Sequence, residues 1–238
     1  MLLRLLASCG LVFCLICLSQ SVAQTLPGKE EVLTKKDEDR RDYTNLKRIN
    51  VSTWVHEPTD LLISIPKDWK EIRASRMPRK IDARPLTTVG VEHKDWEYHA
   101  IVYIAPMSAT AKLEDFVRVG ITDKPTDYGE EYATLVAIYG ASKLEKPIEH
   151  RIGSIPAYKI PINDGPLGTG SSLGALYVFT AGSGENRWLV RVRVNLTTKS
   201  ADKKKDGDKI GEVPSQAKCD LIVSEVITGF DTSKKRAN

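Results

Sequence analysis

Over residues 188–195 the side chains alternate without interruption: Trp188, Val190, Val192 and Val194 fall on one side, Leu189, Arg191, Arg193 and Asn195 on the other. A period of two is that of a β-strand buried on one face. The run before it, 175–181, is almost wholly apolar, and Gly182-Ser183-Gly184 between the two reads as a hairpin turn. Further strands are predicted over 61–66, where Pro66 ends a β-rich run, over 87–92 and 98–105 joined by a polar tip, and over 147–152 and 157–162 joined by a hairpin turn in the region Arg151-Ile152-Gly153-Ser154-Ile155. Helical spacing occurs in three places. Leu113, Phe116 and Val117 share a face after a cap at Ser108 or Thr110. Tyr132, Leu135, Val136 and Tyr139 line a helix over 127–139 that Asp127 and Glu130 could box and Gly140 ends. Cys219, Ile222, Val223, Val226, Ile227 and Phe230 line a last helix over 215–230. Six or seven strands joined mostly by hairpins, with helices between, predict an α+β fold, one antiparallel sheet with helices packed on it.

Neither period is present before Trp54. Residues 24–53 are largely polar and charged, as in Lys35-Lys36-Asp37-Glu38-Asp39-Arg40-Arg41, and read as a flexible tether that cannot bury enough surface to offset its ordering entropy, a solvated helix being the alternative. Ahead of it lies a different pattern. Arg4 is followed by an uncharged apolar run from Leu5 to Leu18 and by Ser21-Val22-Ala23, a signal peptide cut after Ala23. The run is shorter than the roughly 20 residues a bilayer span requires. The domain plan is therefore a signal peptide at 1–23, a tether at 24–53, one domain at 54–232 and a basic tail at 233–238. Export delivers the chain to the periplasm or the extracellular space.

Composition changes this picture in two ways. Cys9, Cys14 and Cys17 leave with the signal peptide, so Cys219 alone remains and no intramolecular disulfide can form. Arg4 is the one charge lost, leaving 34 of the 35 basic residues against 31 acidic ones. That near-balance argues against a nucleic-acid partner, which calls for a strongly basic face.

The order of the elements resembles the PsbP-like family. Ile63-Ser64-Ile65-Pro66-Lys67-Asp68-Trp69 is similar to that family's opening strand, proline and tryptophan. A strand pair followed by Leu113-Glu114-Asp115-Phe116-Val117, the hairpin Gly153-Ser154-Ile155-Pro156-Ala157-Tyr158 and the closing Gly229-Phe230 also fit. The resemblance covers residues 54–231. It implies an α/β/α sandwich used as a non-catalytic binding or assembly module, as in photosystem II extrinsic subunits and an import factor that binds the Ran GTPase. The tether and the Lys203-Lys204-Lys205 insertion depart from the pattern.

Catalytic motifs fare poorly. Gly170-Ser171-Ser172-Leu173-Gly174 has the spacing of a nucleophile elbow, but a strand follows where a helix is required, and no histidine follows His150. The same stretch lacks the lysine of a phosphate-binding loop, with Ser171 in its place. If the tip near Trp96 turns the chain, His93 and His99 face each other with Asp95 and Glu97 close by, a set that could hold zinc. The plainer alternative is a solvated polar tip. Cys219 falls on the apolar side of its helix and reads as packing. Trp69 is a contact candidate beside a proline turn. Arg187, Arg191 and Arg193 form a basic row suited to an acidic partner or, more simply, to a solvated sheet face. The expectation is an exported, non-enzymatic module without a cofactor, whose partner is a protein. The alternative is a zinc-dependent enzyme or ligand binder at the His93/His99 hairpin.

Overall fold

The computed structural model describes residues 45–72, 87–94, 97–119, 127–163, 172–197 and 214–232, which all fall in one compact unit, Glu38–Asn238. The expected signal peptide, most of the tether, the tip residues Asp95 and Trp96, the Gly165–Ser171 part of the glycine-rich stretch, the Lys203-Lys204-Lys205 insertion and the basic tail lie outside the described residues.

Eleven strands and three α-helices are described, with one 3-10 turn at Ala141–Lys143, in the order β1 (Leu46–Asn50), β2 (Thr53–His56), β3 (Leu61–Ser64), β4 (Trp69–Glu71), β5 (Thr87–His93), β6 (Glu97–Pro106), α1 (Leu113–Val117), α2 (Glu130–Tyr139), β7 (Ile148–Ile152), β8 (Ile155–Ile162), β9 (Ser172–Ser183), β10 (Asn186–Thr197), α3 (Gln216–Val226) and β11 (Ile227–Phe230). They build two sheets, each antiparallel throughout: β1-β2-β3-β11 and β4-β5-β6-β10-β9-β8-β7.

This corrects the expected α+β class and the α/β/α sandwich that the family resemblance implied. Strand outweighs helix, 53% to 22%, and a second sheet stands where helices alone were expected. Three segments account for the difference. Leu46–Asn50, inside the stretch expected as tether, pairs with Thr53–His56 through a hairpin. The last helix stops at Val226, and Ile227–Phe230 turns into a strand against Leu61–Ile63. The first helix shrinks to five residues after Lys112, with neither Ser108 nor Thr110 capping it. The second helix begins at Glu130 with Gly129 as its N-cap, so the expected Asp127/Glu130 box does not open it. Two other local expectations match. The β7–β8 hairpin turns at Gly153-Ser154, with Gly153 at φ 59, and α2 ends at Gly140 with φ 81.

β10 lies at the centre of the larger sheet, and both of its faces are covered. On one face Val190, Val192, Val194 and Leu196 are fully buried with Tyr177 and Phe179 of β9, under Cys219, Ile222, Val223 and Val226 of α3 and Trp54, Leu61 and Ile63 of the smaller sheet. Each such aliphatic side chain contributes roughly 1.5–3 kcal/mol relative to exposure. On the other face Leu189 joins Leu176, Val178, Ile160 and Ile162 in a second core closed by Val117 of α1 and Tyr132 and Leu135 of α2.

Candidate functional site

Two polar constellations sit on the two faces of the seven-stranded sheet. The first is a pocket of about 210 Å³ where α1 and α2 meet the sheet, lined in part by Met107, Ser108, Phe116, Glu130, Glu131 and Arg191. Arg191 points from β10 into this layer, and its Nη1 donates to Glu131 Oε1 at 2.9 Å. Its guanidinium lies 5.8 Å from the Tyr103 ring centre, and its Nε is buried without a hydrogen-bond partner. Burial raises the Tyr103 phenol above its usual range, against the pull of Arg193 and Arg191. Arg193 stacks 4.9 Å over Tyr139 of α2. Arg187 Nη1 donates to the carbonyls of Ala109 and Ala111 at 3.0 and 3.1 Å. The row Arg187, Arg191, Arg193 thus shares one face, as its spacing requires, but that face is not solvated: the arginines support α1, α2 and the chain that leads into α1.

The two helices come this close only because residue 129 has no side chain. A Cβ at Gly129 would lie 2.5 Å from the backbone carbonyl of Phe116. Gly129→Ala is expected to cost about 1–3 kcal/mol by forcing α1 from α2, measured as a lower urea midpoint.

The second constellation lies under α3. Asp220 Oδ1 accepts from Lys159 Nζ at 2.7 Å and from the Tyr177 hydroxyl at 2.6 Å, and His150 Nε2 stands 3.7 Å from it. Lys159 Nζ also donates to the Gln216 carbonyl at 3.3 Å, and Gln216 Nε2 to the Gly174 carbonyl at 3.0 Å. Burial, the hydrogen bond to Asp220 and its charge together hold the Tyr177 phenol far above its ordinary range. Burial likewise pushes the neighbouring Cys219 thiol up to about 12, so at neutral pH it carries almost no thiolate and is no nucleophile. Sequence reasoning missed this network, although its signal was present: Lys159 has the same parity as the buried Ile155 and Ala157 on β8, and an inward lysine demands a partner.

The expected histidine pair does not form. β5 and β6 pair with Glu92 opposite His99, which puts His93 and His99 on opposite faces because successive side chains alternate. The ring of His93 packs edge-on to Trp69 with centres 5.7 Å apart, on the side of the larger core. On the other side, His99 Nε2 donates to the amide oxygen of Asn195 at 2.8 Å. Among the described residues no group of three or more potential metal ligands occurs. Trp69, expected at a contact surface, is 8% exposed and belongs to the core. Ser172 opens β9, so the chain after it is strand rather than the helix of a nucleophile elbow.

No protein-family model matches the chain, and no curated protein matches it. A solved structure from Bacteroides thetaiotaomicron VPI-5482 is similar at 10% identity with a TM-score of 0.32, over 63% of this chain and 47% of that one. The chain thus spans about half the length of that neighbour, and a likeness this distant carries no argument about fold or function. Among the described residues no helix is long and apolar enough to cross a membrane.

Proposed function

We propose that the chain is exported and serves as a non-catalytic module that contacts another envelope or secreted protein. The observation that carries this reading is the scale and chemistry of the pocket beneath α1. At about 210 Å³ it falls below the roughly 300–1,000 Å³ of small-molecule sites. The arginine that points into it is bound to Glu131. A pocket of this size favours contact through the outer surface over capture of a small molecule there. The surface this reading nominates is the β1–β2 tip, where Ile49 is 47% and Val51 87% exposed beside Arg48. Apolar side chains presented at a hairpin tip are what a partner can desolvate.

A photo-crosslinking residue at position 51 tests the proposal. It is expected to trap one polypeptide from an envelope or secretion extract of the source cells, and the same probe at exposed Thr134 on α2 is expected to trap none. Identical adducts at both positions, or none at 51, would overturn it.

A further inference from the structure

Two sheets leave four edge strands, and edges are where chains join unless they are blunted. Three of the four carry a recognised blunting device. β4 is only three residues long. β1 has a register break between Arg48 and Asn50 and carries Lys47 and Arg48. β11 has a break between Ile227 and Gly229, with Gly229 at φ 122. β7 differs. Its five residues pair with β8 in unbroken register, without proline or glycine; its two charges, Glu149 and Arg151, are of opposite sign and so complement a second copy of the strand, and among the described residues β8 is its sole strand partner. Ile148 on this edge is 50% exposed.

From this edge we infer that the protein forms a two-fold dimer in which β7 of one protomer pairs antiparallel with β7 of its partner, centred on His150. The strand's own sequence selects that register. Ile148-Glu149-His150-Arg151-Ile152 reversed on itself places Glu149 opposite the partner's Arg151 and Arg151 opposite the partner's Glu149. Centring on Glu149 would oppose two carboxylates, and centring on Arg151 two guanidinium groups. Like charges directly opposite each other are destabilising. Only the His150 register also pairs all five residues.

Backbone geometry agrees. Ile152 and Ile155 flank a two-residue turn, which makes them a hydrogen-bonded pair of the β7–β8 hairpin. Alternation then turns the N–H and C=O of Glu149 and Arg151 away from β8, toward the open edge. In the proposed register these outward groups meet one another across the axis as hydrogen-bonded pairs. Glu149 and Arg151 are exposed in the protomer; the Arg151 guanidinium donates through Nη2 to the Ser154 carbonyl at 2.9 Å, and its remaining N–H groups can meet a carboxylate across the edge. Ile148, half exposed, would be covered beside the partner's Ile152. An isologous contact of this kind closes on itself and yields a dimer rather than a fibre.

Sedimentation velocity of the purified chain over the micromolar range tests the inference. The wild type is expected to show a monomer–dimer equilibrium. Glu149→Arg and Arg151→Glu each convert two attractive cross-strand pairs into two repulsive ones, and each is expected to weaken the dimer about thirtyfold. The double variant Glu149→Arg with Arg151→Glu restores opposite charges in reversed order and is expected to recover the dimer. Circular dichroism of all three variants checks that the β7–β8 hairpin still folds. A wild type that stays monomeric, single reversals that leave the dimer intact, or a folded double variant that fails to recover it would each overturn the inference. None of these outcomes bears on the crosslink at position 51, which lies on the other sheet.

Discussion

Asp220→Ala is expected to destabilise the fold by about 3 kcal/mol, whereas Lys159→Met costs no more than about 1 kcal/mol. The asymmetry follows from where each partner's charge goes once the other is removed. The Lys159 side chain is 5% exposed and that of Asp220 36%. Without Asp220, the Lys159 ammonium and the Tyr177 hydroxyl, both beneath α3, lose their shared acceptor, and water cannot replace it. Without Lys159, the Asp220 carboxylate keeps the Tyr177 hydrogen bond and turns toward solvent, while methionine fills the space of the lysine stem. The value for Asp220→Ala lies at the low end of a broken buried pair because Asp220 is itself partly hydrated. Urea unfolding of both variants at neutral pH measures the difference. Equal costs would show that the pair is screened and that α3 is held by its apolar side alone.

Acid is expected to weaken the protein through His56, and His56→Phe is expected to remove that part of the loss. The His56 side chain is fully buried. Its Nδ1 hydrogen-bonds Thr59 Oγ1 at 2.8 Å, its Nε2 has no partner, and its ring meets Trp188 edge-on with centres 4.7 Å apart. Burial lowers its pKa from 6.5 to about 4, since a charged imidazole there would lose its hydration. In the unfolded chain the group takes up its proton near pH 6.5, while the native state refuses it until about pH 4. Stability from this residue is therefore fully present above pH 6.5, falls between 6.5 and 4, and levels off below. The total loss is on the order of 3 kcal/mol. Comparing the urea stabilities of wild type and His56→Phe at pH 7 and pH 4 cancels the carboxylates common to both. Parallel pH profiles for the two proteins would refute the assignment.

Much of the local structure was legible from spacing alone. The alternation along β10, a hairpin turn around Gly153 and the end of α2 at Gly140 are short-range consequences of side-chain period and backbone freedom. The end of α3 was not legible. Ile222, Val223, Val226, Ile227 and Phe230 fit a helical stripe through to the end, yet the chain leaves the helix after Val226. Ile227 and Thr228 are β-branched and suit either state, and pairing with Leu61–Ile63 decides between them. That pairing joins residues far apart in the chain, which no local window contains. The histidine hairpin failed for a related reason. Its two strands were placed correctly, but their register was not, and moving a strand by one residue sends each side chain to the opposite face.

By itself, the amino-acid order determined which side chains share a face: the valines of β10 on one side, its arginines on the other, and Lys159 in line with Ile155 and Ala157. That much follows from the geometry of a single strand. What covers each face was decided only in three dimensions. The arginine row looked solvated until α1 and α2 closed over it, and Lys159 had no visible partner until α3 brought Asp220 to it. Burial, partner choice and charge state depend on surfaces contributed by distant segments, so they exist only once the chain has packed.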